Sequence, residues 1–148
     1  MLYNLYIYLY ILYYIKIKMF VVNILTIIFS GLSALEHIYI LFLETIFTTS
    51  NRTSKTFKIE EEKLKDKNVS TLLKNLGVYN GLIAVLIIIS IFLSIFREDK
   101  DNILWLRFLL GYIILVAVYG GISSDVKIIP KQGGLAIIGF ILSFFWKE

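Results

Sequence analysis

Two carboxylates and the only histidine of this chain lie inside one apolar run. Glu36, His37 and Glu44 fall within residues 20–47, a run longer than the roughly 20 residues that a membrane-spanning helix needs. An ionised side chain near the bilayer centre costs roughly 2.5 to 3.5 kcal/mol on insertion scales, so such residues usually face a partner, a cavity or a transport path. The run therefore predicts a polar site at membrane depth.

The polar residues of this run share one face of the predicted helix. Their spacing of 3, 4, 3, 4 and 7 residues is heptad-like, and Glu36 lies at the edge of the stripe, about 100° from His37. Two interpretations stay open for the stripe: hydrogen bonds between helices, or a Glu44–His37 pair that exchanges a proton, since a low dielectric favours the neutral form of both groups. Its members are Asn23, Thr26, Ser30, Ser33, His37 and Glu44.

Other apolar segments supply partners for the carboxylates. They carry four polar residues that we expect at a depth similar to that of Glu44, and neighbouring glycines that would let the helices approach closely. We therefore predict one shared ligand-binding or polar cluster, with no residue assigned a catalytic role. Its members are Glu36, His37, Glu44, Tyr79, Asn80, Tyr119 and Gln132.

The composition predicts an all-α integral membrane four-helix bundle. Of the 148 residues, 58% are hydrophobic, which is too many for an ordinary soluble domain. The predicted spans are residues 20–47, 76–96, 103–122 and 133–146. The last is short, so we expect it either to extend through Ile128, Ile129 and Pro130 or to enter the bilayer without crossing it.

Residues 1–18 carry tyrosines alternating with leucine and isoleucine and end in Ile15-Lys16-Ile17-Lys18. They could form a fifth hydrophobic segment or a signal-like leader, but the basic residues of a signal peptide precede its apolar stretch. We favour a natural start at Met19, which makes residues 19–148 a single four-span membrane domain.

The distribution of lysine and arginine predicts the topology. Residues 48–75 form a charged segment with seven basic residues, interpreted as a solvated loop, although a short surface helix with a Glu61–Lys65 pair is an alternative. Counting Lys127 and Lys131 as well, the positive-inside rule places the 48–75 loop in the cytoplasm and both termini outside. Trp105 and Trp146 then lie at the same outer interface.

Several classes of chemistry find no support in these residues. The chain has no cysteine, which excludes disulfides and thiolate catalysis. A single histidine completes no usual metal site, and there is no H-E-x-x-H motif, nucleophile motif or glycine-rich phosphate loop. We predict no metal and no cofactor. The net charge of +4 reflects loop lysines, so no nucleic-acid partner is expected.

The same segments resemble the bacterial membrane-protein family called domain of unknown function 1304. The resemblance is carried, in the family's order, by Leu35-Glu36-His37-Ile38-Tyr39 with Leu43-Glu44, then Asn75 followed by Gly77-Val78-Tyr79-Asn80-Gly81, then Val118-Tyr119-Gly120 and Gln132-Gly133. The chain departs from the family pattern at Thr45, Leu76 and Leu135, and lacks the Trp expected near Thr48. The resemblance implies a small four-helix membrane protein and supplies no activity.

Three functions fit this pattern. The first is a structural or accessory membrane subunit with no chemistry of its own. The second is a module that binds or transports a proton, a cation or a small amine-bearing ligand at Glu36, His37 and Glu44. The third is a membrane-embedded acid–base enzyme acting on a lipid-like substrate. The expected partners are the lipid bilayer, a small ligand or ion, and a second copy or another membrane protein.

Overall fold

The computed structural model describes residues 2–97 and 101–146, with side chains from Tyr6 onward. Every regular element in these ranges is helical, which confirms the all-α prediction. In chain order they are α1 (Leu2–Thr45), α2 (Asn51–Phe57), α3 (Glu61–Leu64), α4 (Lys67–Phe96), α5 (Asp101–Ser123), a π-helical turn (Ile129–Gly133) and α6 (Gly134–Ser143).

Three helical segments are long and apolar enough to cross a membrane. They are Tyr6–Thr45, Lys67–Phe96 and Asp101–Ser123, which fits the predicted membrane protein. The fourth apolar helix, Ile129–Ser143, is shorter. This helix includes Ile129 and Pro130, as the first of the two alternatives for the last span predicted. At about 1.5 Å per residue, however, it is only about 22 Å long, which is shorter than the hydrocarbon core of a bilayer. A count of four spans therefore stays a prediction.

The helices extend well beyond the apolar runs that predicted them. Helix α1 begins at Leu2 rather than at residue 20, because no glycine or proline interrupts residues 2–30. Helix α4 begins nine residues before the predicted span, where the Asp66 side chain accepts hydrogen bonds from the backbone N–H groups of Asn68 (2.9 Å) and Val69 (3.1 Å). These bonds satisfy donors that a helix start leaves free.

The charged segment 48–75 is not the loop that we favoured from the sequence. It holds α2 and α3 and the first turns of α4. The Ser50 hydroxyl caps α2 by accepting from the Thr53 N–H (3.2 Å), and Lys58 ends the helix in the left-handed conformation, φ 57°. The predicted pairing of Glu61 with Lys65 is wrong: the Lys65 ammonium lies 3.0 Å from Glu62.

The chain divides into two compact units, and Gly31–Ile89 form one of them. In this unit the end of α1 packs against α4, as the contacts around Gly77 show. The Thr53 hydroxyl of α2 donates to the carbonyls of Leu43 (3.1 Å) and Phe47 (2.7 Å), which ties α2 to the end of α1. The buried apolar residues are Ala34, Leu43, Leu64, Leu73, Ala84 and Ile87.

The other unit comprises Met1–Ser30 and Ser90–Glu148. Here α5 packs against the π-helical turn and α6. A side chain at Gly133 would lie 2.9 Å from the Ala117 methyl, so only glycine allows this approach. Asn102, near the start of α5, donates to the Leu93 carbonyl (3.2 Å). The buried apolar residues are Ile103, Leu106, Leu110, Ile113, Ala117 and Ala136.

Lys100 and Lys147, which the predicted topology places on the outer side, lie outside the described residues.

Candidate functional site

Glu44 and Asn80 join α1 to α4. The Glu44 side chain is 4% exposed, and one of its carboxyl oxygens accepts a hydrogen bond from the Asn80 amide at 2.9 Å. The same amide nitrogen also donates to the Leu76 carbonyl one turn earlier, at 3.2 Å. This carboxyl is therefore supplied with a donor from a neighbouring helix, as a buried polar group requires.

A glycine makes this contact possible. A Cβ atom at Gly77 would lie 2.7 Å from the Thr45 methyl, 2.9 Å from the Glu44 Cβ and 3.3 Å from the Leu41 carbonyl oxygen. The two helices are thus too close for any side chain at position 77. The hydroxyls of Thr45 and Thr48 donate to carbonyls of the preceding turn, at 2.6 and 2.7 Å, and leave the Glu44 carboxyl to Asn80.

His37 is held in one orientation by its own helix. The ring is 2% exposed, and its Nδ1 lies 2.9 Å from the Ser33 carbonyl oxygen. A carbonyl only accepts, so Nδ1 must carry the hydrogen of this bond. In the neutral ring the hydrogen bond therefore leaves Nε2 as an acceptor. His37 thus offers a basic nitrogen rather than a donor to whatever lies beside it.

Three further oxygens on α1 are buried without a partner. Ser30 Oγ, Ser33 Oγ and Glu36 Oε2 make no hydrogen bond within the part of the chain that the structure describes. Most buried polar groups in proteins are hydrogen-bonded, and an unpaired one costs free energy. Ser33, Glu36 and His37, which we call the Ser33–His37 cluster, lie within five residues and within about 100° of the helix circumference.

The Ser33–His37 cluster and Glu44 are separate along α1. His37 and Glu44 are seven residues apart, which corresponds to about 10 Å of helix rise. The Glu44 carboxyl pairs with Asn80 and the His37 Nδ1 with Ser33. A proton passing between His37 and Glu44 would therefore need an intervening group.

The remaining predicted site residues lie in different surroundings. Tyr79 is 65% exposed on α4, and it is its neighbour Asn80 that reaches Glu44. Tyr119, 71% exposed, lies on α5, and Gln132 is half-buried in the π-helical turn. Both belong to the other compact unit. Their participation in a site with the carboxylates stays a prediction.

Arg107 is a polar residue of α5 that sequence reasoning missed as a site residue. Its Nη2 donates to the Ser143 carbonyl (2.6 Å) and its Nε to the Ser143 hydroxyl (3.3 Å). Its guanidinium carbon lies 4.9 Å from the centre of the Phe144 ring, within the range of a cation–π contact. The sequence could have indicated Arg107, because a charged residue inside an apolar span suggests a polar site at Arg107 just as it does at Glu36.

Among the described residues, no three His, Asp or Glu side chains come close enough together to hold an ion.

Comparison with known proteins identifies the family. A family model described as "Protein of unknown function (DUF1304)" matches residues 31–144. The chain belongs to the DUF1304 family. The match confirms the family that the sequence resembles, while its description as a membrane-protein family stays a prediction. The matched residues contain the Ser33–His37 cluster, the Glu44–Asn80 pair and Arg107. No solved structure matches this DUF1304 chain.

A curated relative covers most of the same chain. "Uncharacterized protein YpaA" of Lactococcus lactis subsp. lactis (strain IL1403) is 50% identical over 123 residues, which are 83% of this DUF1304 chain and 99% of the relative. The relative's organism fits the bacterial family that the sequence resembles.

Proposed function

We propose that this DUF1304 protein is a multi-pass membrane protein that binds a small hydrogen-bond-donating cation at the Ser33–His37 cluster. The observation that carries the proposal is the pair of buried oxygens, Ser33 Oγ and Glu36 Oε2, that have no hydrogen-bond partner in the described residues. On the same turn of α1, the neutral His37 ring has Nε2 as an acceptor, because Nδ1 donates to the Ser33 carbonyl.

The chemistry of the cluster favours a primary ammonium group. Such a group carries one positive charge and three N–H donors. The Glu36 carboxylate would neutralise the charge and accept one bond, while the Ser33 hydroxyl and His37 Nε2 would accept the others. A charge-assisted bond to Glu36 would be the strongest of the three.

Thermal unfolding of the purified protein tests this proposal. We expect methylammonium to raise the unfolding temperature of the wild type, and tetramethylammonium, which has the same charge but no N–H donor, to leave it unchanged. Glu36→Gln should abolish the effect of methylammonium. Glu60→Gln is the matched control, because Glu60 is exposed and pairs with Lys63, and it should respond as the wild type does.

If methylammonium and tetramethylammonium changed the unfolding temperature equally, the stabilisation would not depend on hydrogen bonds donated by the cation. A full methylammonium response in Glu36→Gln would remove Glu36 from the site. Either outcome contradicts the proposal.

A structural or accessory membrane subunit is the second candidate. It is favoured by the Glu44–Asn80 bond and the close approach at Gly77, which account for one buried carboxyl by helix packing alone. If Glu36 likewise served only helix packing, no small cation would stabilise the protein.

The proposed membrane arrangement retains the sequence-based topology. Residues 48–75 would lie in the cytoplasm and both termini outside, with Ile129–Ser143 completing a fourth span or entering the bilayer. The length and hydropathy of the three longer helices support membrane insertion, and the excess of lysine in residues 48–75 supports the orientation.

A further inference from the structure

An open groove runs between α5 and α6 on the surface of one compact unit. It has a volume of about 440 Å³, and its walls are almost entirely apolar. Phe108, Tyr112 and Leu115 on α5 and Phe140 and Phe144 on α6 are among the lining residues. Gly111 leaves room in its floor, since a Cβ there would still be 3.6 Å from the Phe140 ring.

One cation lies in this apolar lining. Arg107 contributes to the groove wall, and its contacts with Ser143 use two of its five N–H donors. No carboxylate of residues 2–97 or 101–146 forms an ion pair with it, and its other contact is the Phe144 ring. A guanidinium in apolar surroundings is stabilised by an anion, and the described residues supply none to Arg107.

The position of Arg107 along α5 fits a lipid headgroup. Arg107 is six residues from the start of α5 at Asp101, or about 9 Å of rise. Trp105 lies at a similar depth, about 3 Å from Arg107 along the helix axis but on the other side of the helix, and it is exposed, as tryptophans at the membrane interface are. From Arg107 the groove continues to Leu115, about 12 Å further along the helix axis.

We infer that this groove binds one anionic phospholipid, with its phosphate at Arg107 and an acyl chain along α5 and α6. The inference rests on the proposed membrane placement but not on the Ser33–His37 cluster. Arginine binds phosphate through several N–H donors at once, and the apolar walls would cover the acyl chain.

Native mass spectrometry of the purified protein tests the inference. The protein is incubated with phosphatidylglycerol and phosphatidylcholine that carry identical acyl chains. The wild type should retain phosphatidylglycerol preferentially, and Arg107→Gln should reduce that retention about tenfold, the effect of losing one strong charge-assisted contact. Arg97→Gln, which removes an exposed arginine outside the groove, should retain phosphatidylglycerol as the wild type does.

A second variant tests the apolar part. Gly111→Leu leaves Arg107 in place but fills the groove, so it should reduce the retention of both lipids. Inorganic phosphate at millimolar concentration should not displace phosphatidylglycerol, because it has no chain to occupy the groove.

Several results would overturn the inference. One is equal retention of phosphatidylglycerol by Arg107→Gln and the wild type, and another is displacement of this lipid by phosphate alone. A third is a wild-type dimer that dissociates in Gly111→Leu, which would show that a second copy of the chain occupies the groove. The proposed cation site is tested separately, since Arg107→Gln should keep its methylammonium response. Release of the wild type from alkaline-washed membranes would contradict both proposals.

Discussion

Glu44 and Glu36 are two carboxyls on one helix whose surroundings differ. Glu44 is nearly fully buried and receives a hydrogen bond from the Asn80 amide of α4. Glu36 has a buried oxygen without a partner in the described part of the chain. Because an unpaired buried polar group costs free energy that a paired one does not, the two carboxyls are suited to different roles, Glu44 to packing and Glu36 to binding.

Substitutions at Glu44 should separate hydrogen bonding from charge. Glutamine keeps a carbonyl oxygen that can accept from Asn80, so Glu44→Gln should change the free energy of unfolding little. Alanine leaves one N–H of the Asn80 amide without its acceptor and opens a cavity, so Glu44→Ala should destabilise the protein by roughly 1 to 3 kcal/mol. Reversible denaturation in detergent measures both. An equal loss in the two variants would show that the charge, not the hydrogen bond, stabilises this contact.

The sequence predicted one hydrogen-bond partner of Glu44. A carboxyl in an apolar span must find a donor, and Asn80, at the depth expected for Glu44, was among the four partners predicted. The sequence could not show that Asn80 would reach Glu44 while Tyr79, one position away, would be exposed. Adjacent helical residues point about 100° apart, so the choice depends on how α4 is rotated against α1.

At the scale of the elements, the α1–α4 contact depends on Gly77. Its position opposite Leu41, Glu44 and Thr45 brings the two helices closer than a methyl group would permit. Small residues at helix contacts have this effect in membranes, where packing rather than the hydrophobic effect drives association.

Alanine substitutions at two glycines should have opposite consequences. Gly77→Ala places a Cβ within 3.0 Å of two atoms of α1, and this overpacking should cost roughly 1 to 3 kcal/mol of unfolding free energy. Gly31→Ala is the matched control, because its Cβ would meet nothing within 4 Å. It should be neutral or stabilise by up to about 1 kcal/mol through helix propensity. The same denaturation assay compares them, and equal effects would contradict the close contact.

Hydropathy identified the helices but not their ends. The apolar runs gave the end of α4 and both ends of α5 to within two residues. The start of α4 lies nine residues earlier because Asp66 caps it, and α2 forms because Ser50 and Thr53 cap and anchor it. These are hydrogen bonds between specific side chains and backbone groups, and a hydropathy pattern does not contain them.

At the scale of the whole molecule, the topology is directly testable. The chain has no cysteine, so single-cysteine variants can be labelled without background. Ser54→Cys should be protected from an impermeant thiol reagent in intact cells, while Asp99→Cys should react, because the positive-inside rule places them on opposite sides. A control in permeabilised cells should label both. Reaction of both variants from the same side of the intact membrane would contradict the topology.

The measurement closest to the central claim is nitrogen NMR of the His37 side chain in the detergent-solubilised protein. His37 is the only histidine, so its two ring-nitrogen resonances belong to one residue. We predict a neutral ring with the hydrogen on Nδ1, as its bond to the Ser33 carbonyl requires, and an Nε2 resonance that shifts with methylammonium but not with tetramethylammonium. A ring protonated on Nε2 alone, or an Nε2 resonance unchanged by methylammonium, would contradict the proposed cation site.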